Sequence, residues 1–136
     1  MGVVIDASAA ACWLFADEAT PETDSLLARV RDTGGHAPAL WRWEMSNLLI
    51  AGIRKARISE ADAAGHLADL ALLPITIDTE ATERAWRETF LLAQAHSLTA
   101  YDAAYLELSQ RTGLELASKD EKLCAAAAAI GVRLAL

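Results

Sequence analysis

Four acidic residues stand where apolar elements should enter or border a core: Asp6, Glu44, Asp102 and Asp120. A carboxylate in such a place is costly unless hydrogen bonds or a cation compensate it. Converging on one point, the four would form an oxygen-only donor set of the kind that holds Mg²⁺ or, alternatively, Mn²⁺. Crowded carboxylates raise one another's proton affinity, and a divalent cation keeps them ionised. Such a cation makes hydroxide available at neutral pH and offsets charge developing on a phosphate. No Ser–His–Asp or Cys–His arrangement competes, and His36, His66 and His96 lack ligand spacing.

The elements that must position these acids are readable from pattern. Gly2 to Ile5 is a β-branched run, typical of a buried strand closed by Asp6. Helices are expected over Ala7 to Phe15, Pro21 to Arg31 behind a Thr20 cap, and Leu40 to Lys55. Another runs from the capping signature at Ser59 and Asp62 to near Leu73. Further helices are expected over Thr79 to Ala95, from Thr99 to Gly113, and from Ser118 to Ile130. Between them, His36 to Pro38, Pro74 to Asp78, Leu114 to Ala117 and Val132 to Ala135 read as strands. Strands alternating with helices imply an α/β fold, a short parallel sheet flanked by helices in three layers. A chain of 136 residues without a Ser/Gly-rich linker is expected to form one domain over 1–136.

Each acid has an ordinary structural explanation beside the chemical one. Asp6 follows a strand and either caps the next helix or faces a ligand beyond the strand's carboxyl end. Glu44 and Asn47 share a strip beside the Trp41, Met45, Leu48, Leu49 and Gly52 stripe, where a solvated Glu is common. Thr99 and Asp102 fit an acidic variant of the capping box. Asp120 sits in the first turn of a helix that Ser118 would cap, favourably placed toward the macrodipole. The joint pattern is harder to dismiss than any single acid: two strand ends, one helix start and one strip beside a core stripe.

Composition bounds the rest. Hydrophobic residues make up 54% and charged residues 23%, which fits a packed domain. The N-terminus has no basic residue before its first acid, unlike a signal peptide. The alanine run before Ile130 is far too short to span a bilayer, so no membrane association is expected. Cys12 and Cys124 form no C-x-x-C pair and read as structural thiols of a cytoplasmic protein. The net charge of −7 argues against a general nucleic-acid binder. Two divalent cations would offset more than half of it, and Arg54, Lys55 and Arg57 supply a local basic cluster.

The chain resembles the PIN-domain ribonucleases, and within them the VapC-type toxins of bacterial toxin–antitoxin pairs. The residues that carry the resemblance are Val3-Val-Ile-Asp-Ala-Ser8, Trp43-Glu-Met-Ser-Asn-Leu48, Leu98-Thr-Ala-Tyr-Asp-Ala-Ala-Tyr-Leu106 and Leu116-Ala-Ser-Lys-Asp-Glu-Lys-Leu123. They cover essentially the whole chain in the right order, and Thr99 to Tyr105 is the most specific. The resemblance implies a catalytic, metal-holding cluster of Asp6, Glu44, Asp102 and Asp120. Asp6 and Asp102 are assigned as the inner ligands, and Ser8, Asn47, Thr99 and Ser118 as polar helpers. It further implies Mg²⁺ or Mn²⁺ dependence, RNA hydrolysis, a cognate antitoxin and a homodimer. Lys119 departs from the family pattern, standing where a small or uncharged residue is usual.

Trp13, Trp41, Trp43 and Trp86 are expected in the core. Trp43 projects away from the main stripe with Ile50 beside it, so its other role would be to meet a helix, a dimer mate or an antitoxin segment. Two other functions stay open at this stage. One is a non-catalytic PIN-like module acting only through partners. The other is a Mg²⁺-dependent phospho-acceptor domain, which would want a second acid beside Asp6 where Ala7 and Ser8 stand.

Overall fold

The computed structural model describes residues 2–136. Strands β1 (Val3–Ile5), β2 (Gly35–Pro38), β3 (Ile75–Asp78) and β4 (Glu115–Ala117) form one parallel sheet in the order β3-β2-β1-β4. Val3 pairs with Gly35 on one side and Glu115 on the other, so β1 is central. Its three residues are fully buried, as an apolar strand covered on both faces should be. The helices are α1 (Ala7–Ala11), α2 (Pro21–Thr33), α3 (Leu40–Arg54), α4 (Glu60–Leu72), α5 (Ala81–Arg84), α6 (Glu88–His96), α7 (Ala100–Thr112) and α8 (Glu121–Ala129). The expected α/β architecture, a parallel sheet flanked by helices, is borne out.

Helix α7 is the central support. Residues 103–109 are buried in an unbroken run, and the helix packs on β1, β2 and β4. The run includes Glu107 and Ser109 beside the apolar side chains, and the buried Glu107 carboxylate is paired with Arg111 at 2.9 Å. Gly113 ends it with φ of 74°, a left-handed value that favours glycine. Helix α3 buries Trp41, Met45, Leu49 and Gly52, the stripe expected from spacing, while Leu48 is half-buried. A Cβ on Gly52 would meet Phe15 at 3.1 Å and Ile58 at 3.2 Å, so any larger residue there requires those side chains to shift by a few tenths of an ångström.

Several expected boundaries shift. Helix α1 stops at Ala11, because Cys12, Trp13 and Leu14 donate to carbonyls three residues back and tighten the chain into turns. The stretch from Thr79 is two helices, since Arg87 leaves the helical region at φ −126° and ψ −96°. Buried and half-buried residues keep one stripe from Ala85 through Thr89 to Leu92 and His96, so periodicity cannot register the break. Helix α8 begins at Glu121 with Asp120 as its cap, not at Ser118. The last strand shrinks to a single bridge between Leu116 and Leu134; Arg133 and Leu134 are exposed, and little burial holds a longer ladder.

Two expectations about side chains fail. Trp43 is 69% and Trp86 93% exposed, whereas Trp41 is buried and Trp13 half-buried. Neither exposed indole lies on the buried stripe of its segment. Arg57 is not a free cation: it pairs with Asp17 at 2.9 Å and Glu18 at 3.1 Å and lies over the Phe15 ring. The basic cluster is thereby partly neutralised.

Candidate active site

The sheet leads from β1 to β2 on one side and to β4 on the other, so strand order reverses between β1 and β4. Open α/β sheets bind ligands outside the carboxyl ends of their strands at such a reversal. Asp6 and Ser118 are the first residues beyond those two ends. The Asp6 N–H donates to the Ala117 carbonyl at 3.1 Å, extending the ladder by one residue and fixing the aspartate's place.

Asp6 is 4% exposed and does two things at once. It caps α1, accepting the Ala9 N–H at 2.8 Å. It also accepts the Ser8 hydroxyl at 2.8 and 2.9 Å and, on Oδ2, the Ser118 hydroxyl. Those hydroxyls are themselves aimed by the backbone. The Lys119 N–H donates to Ser8 Oγ at 2.8 Å and the Asp120 N–H to Ser118 Oγ at 3.0 Å. A hydroxyl oxygen occupied as an acceptor has one proton to give, and here both protons go to Asp6.

The other acids arrive on three helices. Glu44 is half-buried on α3, and its Oε1 accepts the hydroxyl of Tyr105 from α7. Asp102 lies half-buried in the first turn of α7, with its N–H donating to Thr99 Oγ1 at 3.1 Å. The return bond from the Asp102 carboxylate to the Thr99 backbone is not formed, so the expected capping box is half complete. In α4 the same motif is whole, with Ser59 and Asp62 bonded in both directions. Asp120 spends Oδ1 on the Leu123 N–H at 2.9 Å. Asn47 is exposed one turn after Glu44, and no hydrogen bond ties it to an acid among the described residues.

The electrostatics tie the four acids together. Burial pushes Asp6 above the ordinary 3.8; Ser118, Ala9 and Ser8 pull it back, and the charge of Asp102 pushes it up again. Burial raises Glu44 above 4.5, the Tyr105 hydroxyl opposes this, and the charges of Asp102 and Asp6 add to the rise. Asp102 is raised by burial and then by Asp120, with the Thr99 hydroxyl offsetting in part. The Tyr105 phenol is raised far beyond its usual range by burial, by its bond to Glu44, and by the charges of Glu44, Asp6 and Asp102. Asp6, Glu44 and Asp102 each feel the charge of at least one other acid.

Among the described residues, no three acidic, histidine or cysteine side chains stand close enough to ligate one ion as they are. The chemistry of the donors nevertheless suits a hard divalent cation. They are all oxygen, they are held by hydroxyls and backbone N–H groups, and their mutual repulsion is relieved by positive charge. Mg²⁺ usually keeps several waters, so carboxylates at wider spacing can reach it through them. Asp6 lies just beyond the carboxyl end of the central strand β1. A groove of about 350 Å³ between α3, α4 and β3, lined by Trp41, Met45, Leu67, Leu70 and Ile75, contains none of the four acids.

Sequence reasoning missed Tyr105 as part of this neighbourhood. Its spacing from Asp102, one helical turn, places it on the same side of α7, but a tyrosine in an apolar run reads as core. Lys119 is exposed, and only its backbone N–H is bound into the site. Cys12 and Cys124 are free thiols, and their sulfurs lie 3.7 and 3.5 Å from the carbonyls of Ser8 and Ser118.

Residues 3–129 match the PIN domain family. The chain is 27% identical over 123 residues to ribonuclease VapC3 of Pyrobaculum aerophilum, spanning 90% of this chain and 92% of that one. Its fold is similar to the crystal structure of PAE2754 from Pyrobaculum aerophilum, with a TM-score of 0.68 and 27% identity. That likeness covers 93% of this chain and 87% of the other. The resemblance carried by the four sequence segments is borne out.

Proposed function

Because this chain belongs to the PIN domain family, we propose that it is an endoribonuclease and the toxin of a toxin–antitoxin pair, hydrolysing RNA phosphodiester bonds with Mg²⁺ or Mn²⁺. The observation that carries this reading is Asp6, buried just beyond the carboxyl ends of β1 and β4 and held there by the Ser8 and Ser118 hydroxyls; the charge of Asp102 acts on it and on Glu44, and that of Asp120 acts on Asp102. Similarity to a protein named ribonuclease VapC3 supports the substrate class and the antitoxin partner.

Asp6 and Asp102 would hold the cation directly, and Glu44 and Asp120 would complete its shell directly or through water. When bound, the cation supplies a water acidic enough to lose its proton at neutral pH and offsets charge building on the scissile phosphate. Ser8 and Ser118 keep both Asp6 oxygens oriented and favour its charged form. Thr99 anchors the first turn of α7 and so the position of Asp102. Asn47, exposed beside Glu44, would orient water or RNA. No helix among the described residues is long and apolar enough to cross a membrane.

The test is direct. Asp6→Asn and Asp102→Asn each lower metal-dependent RNA cleavage by on the order of 100-fold or more, while circular dichroism stays that of the parent. Full activity in either variant, or in excess chelator, overturns the proposal. The open spacing of the acids favours one second reading, a PIN-like module that acts only through partners. Calorimetry showing no Mg²⁺ or Mn²⁺ binding would select it.

A further inference from the structure

Tyr105 is 1% exposed, its ring packed in the main core beside Leu106 and Leu108. A phenylalanine would fill the same space without the cost of burying a hydroxyl. The hydroxyl has one hydrogen-bond partner among the described residues, Oε1 of Glu44. That bond crosses from α7 to α3 and joins two residues 61 apart in sequence. Glu44 has no other hydrogen bond among the described residues, so Oε2 is left open. A glutamate on a helix flank ordinarily samples several rotamers, and a donor fixed to an immobile ring removes most of that freedom.

We infer that Tyr105 is a positioning residue for the cation centre: its hydroxyl holds Glu44 by one oxygen beside Asp6 and Asp102 and leaves the other for the cation or its water. This rests on the metal-nuclease reading above. The core ring sets where the hydroxyl is, the hydroxyl sets where the carboxylate is, and the bond links α7 to α3, the two helices that carry Asp102 and Glu44. Groups of this kind, one step removed from a metal, set its affinity by roughly 10–100-fold.

The experiment is Tyr105→Phe in the full chain, which keeps the ring and removes the oxygen. Mn²⁺ affinity is measured by titration calorimetry, and RNA cleavage is followed as a function of Mn²⁺. The expected result is roughly 10-fold or more weaker Mn²⁺ binding, the same shift in the cation dependence of cleavage, and kcat near the parent's once Mn²⁺ saturates. The melting temperature stays close to the parent's. On a Glu44→Ala background, Tyr105→Phe adds no further loss, because the carboxylate that the hydroxyl holds is gone. Unchanged Mn²⁺ affinity in Tyr105→Phe, or an equal loss on the Glu44→Ala background, overturns the inference. A parent that binds Mn²⁺ and shows the Tyr105→Phe shift without cleaving RNA sinks the nuclease reading and keeps the positioning role. A parent that binds no Mn²⁺ sinks both.

Discussion

Asp6 answers two demands with one side chain. As a cap it accepts the Ala9 N–H, and as the proposed cation ligand it would have to stay charged in a place where burial favours the proton. Two serine hydroxyls reconcile these, since each donates to the carboxylate and so stabilises its ionised form. The balance still leaves Asp6, Glu44 and Asp102 above their ordinary 3.8, 4.5 and 3.8. A carboxylate so raised binds its proton more tightly folded than unfolded. Its contribution to stability is therefore full below the unfolded value and is lost as pH rises through the folded one. Metal-free protein accordingly gives up stability from these three groups as it is brought to neutral pH, and a cation restores it. Differential scanning calorimetry with Mn²⁺ and with chelator should show a melting difference that is large at neutral pH and vanishes on acidification below the ordinary carboxylate value. At 100 times its dissociation constant the cation stabilises by about 2.7 kcal/mol. Asp78 titrates the other way: burial raises it, but Arg111 at 2.8 Å more than compensates and holds it low. Comparing the two states at each pH cancels that contribution. A shift of equal size at every pH would refute the coupling.

At the scale of elements, helix ends carry the site. Helices α1, α7 and α8 each begin beside it, and Asp6 and Asp120 serve as caps themselves. The caps at Thr20, Ser59 and Thr99 were readable because Ser, Thr and Asp before an apolar run have few other uses, whereas the α8 cap expected at Ser118 falls on Asp120. A cap pattern does not say whether the carboxylate is consumed by capping. The Ser59 and Asp62 box and the Thr99 and Asp102 half-box look alike in sequence; only the first closes its return bond. That difference yields a paired prediction. Ser59→Ala and Thr99→Ala each cost about 1 kcal/mol in chemical denaturation. Thr99→Ala also lowers cleavage, because Asp102 loses the anchor of its turn, while Ser59→Ala leaves cleavage unchanged. Equal activity in both variants would show that Thr99 serves the helix alone. Helix α5 and the break after it were not readable, since the buried stripe runs through Arg87 without losing phase.

For the whole molecule, charge and exposed apolar surface point to partners. Trp86, Phe90 and Leu91 lie close in sequence at 93%, 57% and 61% exposure, and Trp43 and Ile50 form a second exposed pair on α3. The homodimer that the family resemblance implies is expected to cover the first group. Light scattering should give twice the chain mass for the parent and a single chain for Trp86→Glu; a monomeric parent removes the dimer. The net charge of −7, with Arg57 and Arg111 committed to internal ion pairs, also means that RNA cannot be drawn in by a broad basic face. RNA affinity should therefore fall only shallowly with added salt.

The amino-acid order alone determined the strands that bury both faces, the main helices with their caps, and the identity of four acids placed against an apolar pattern. Those are consequences of local periodicity and of the cost of burying charge, and both are written within a few residues. Tertiary structure decided the rest. It set the reversal of strand order that brings Asp6 beside Ser118, the crossing that lets Tyr105 reach Glu44, and the exposure of Trp43 and Trp86. These depend on contacts between residues as many as 112 positions apart, whose distances no local pattern can encode.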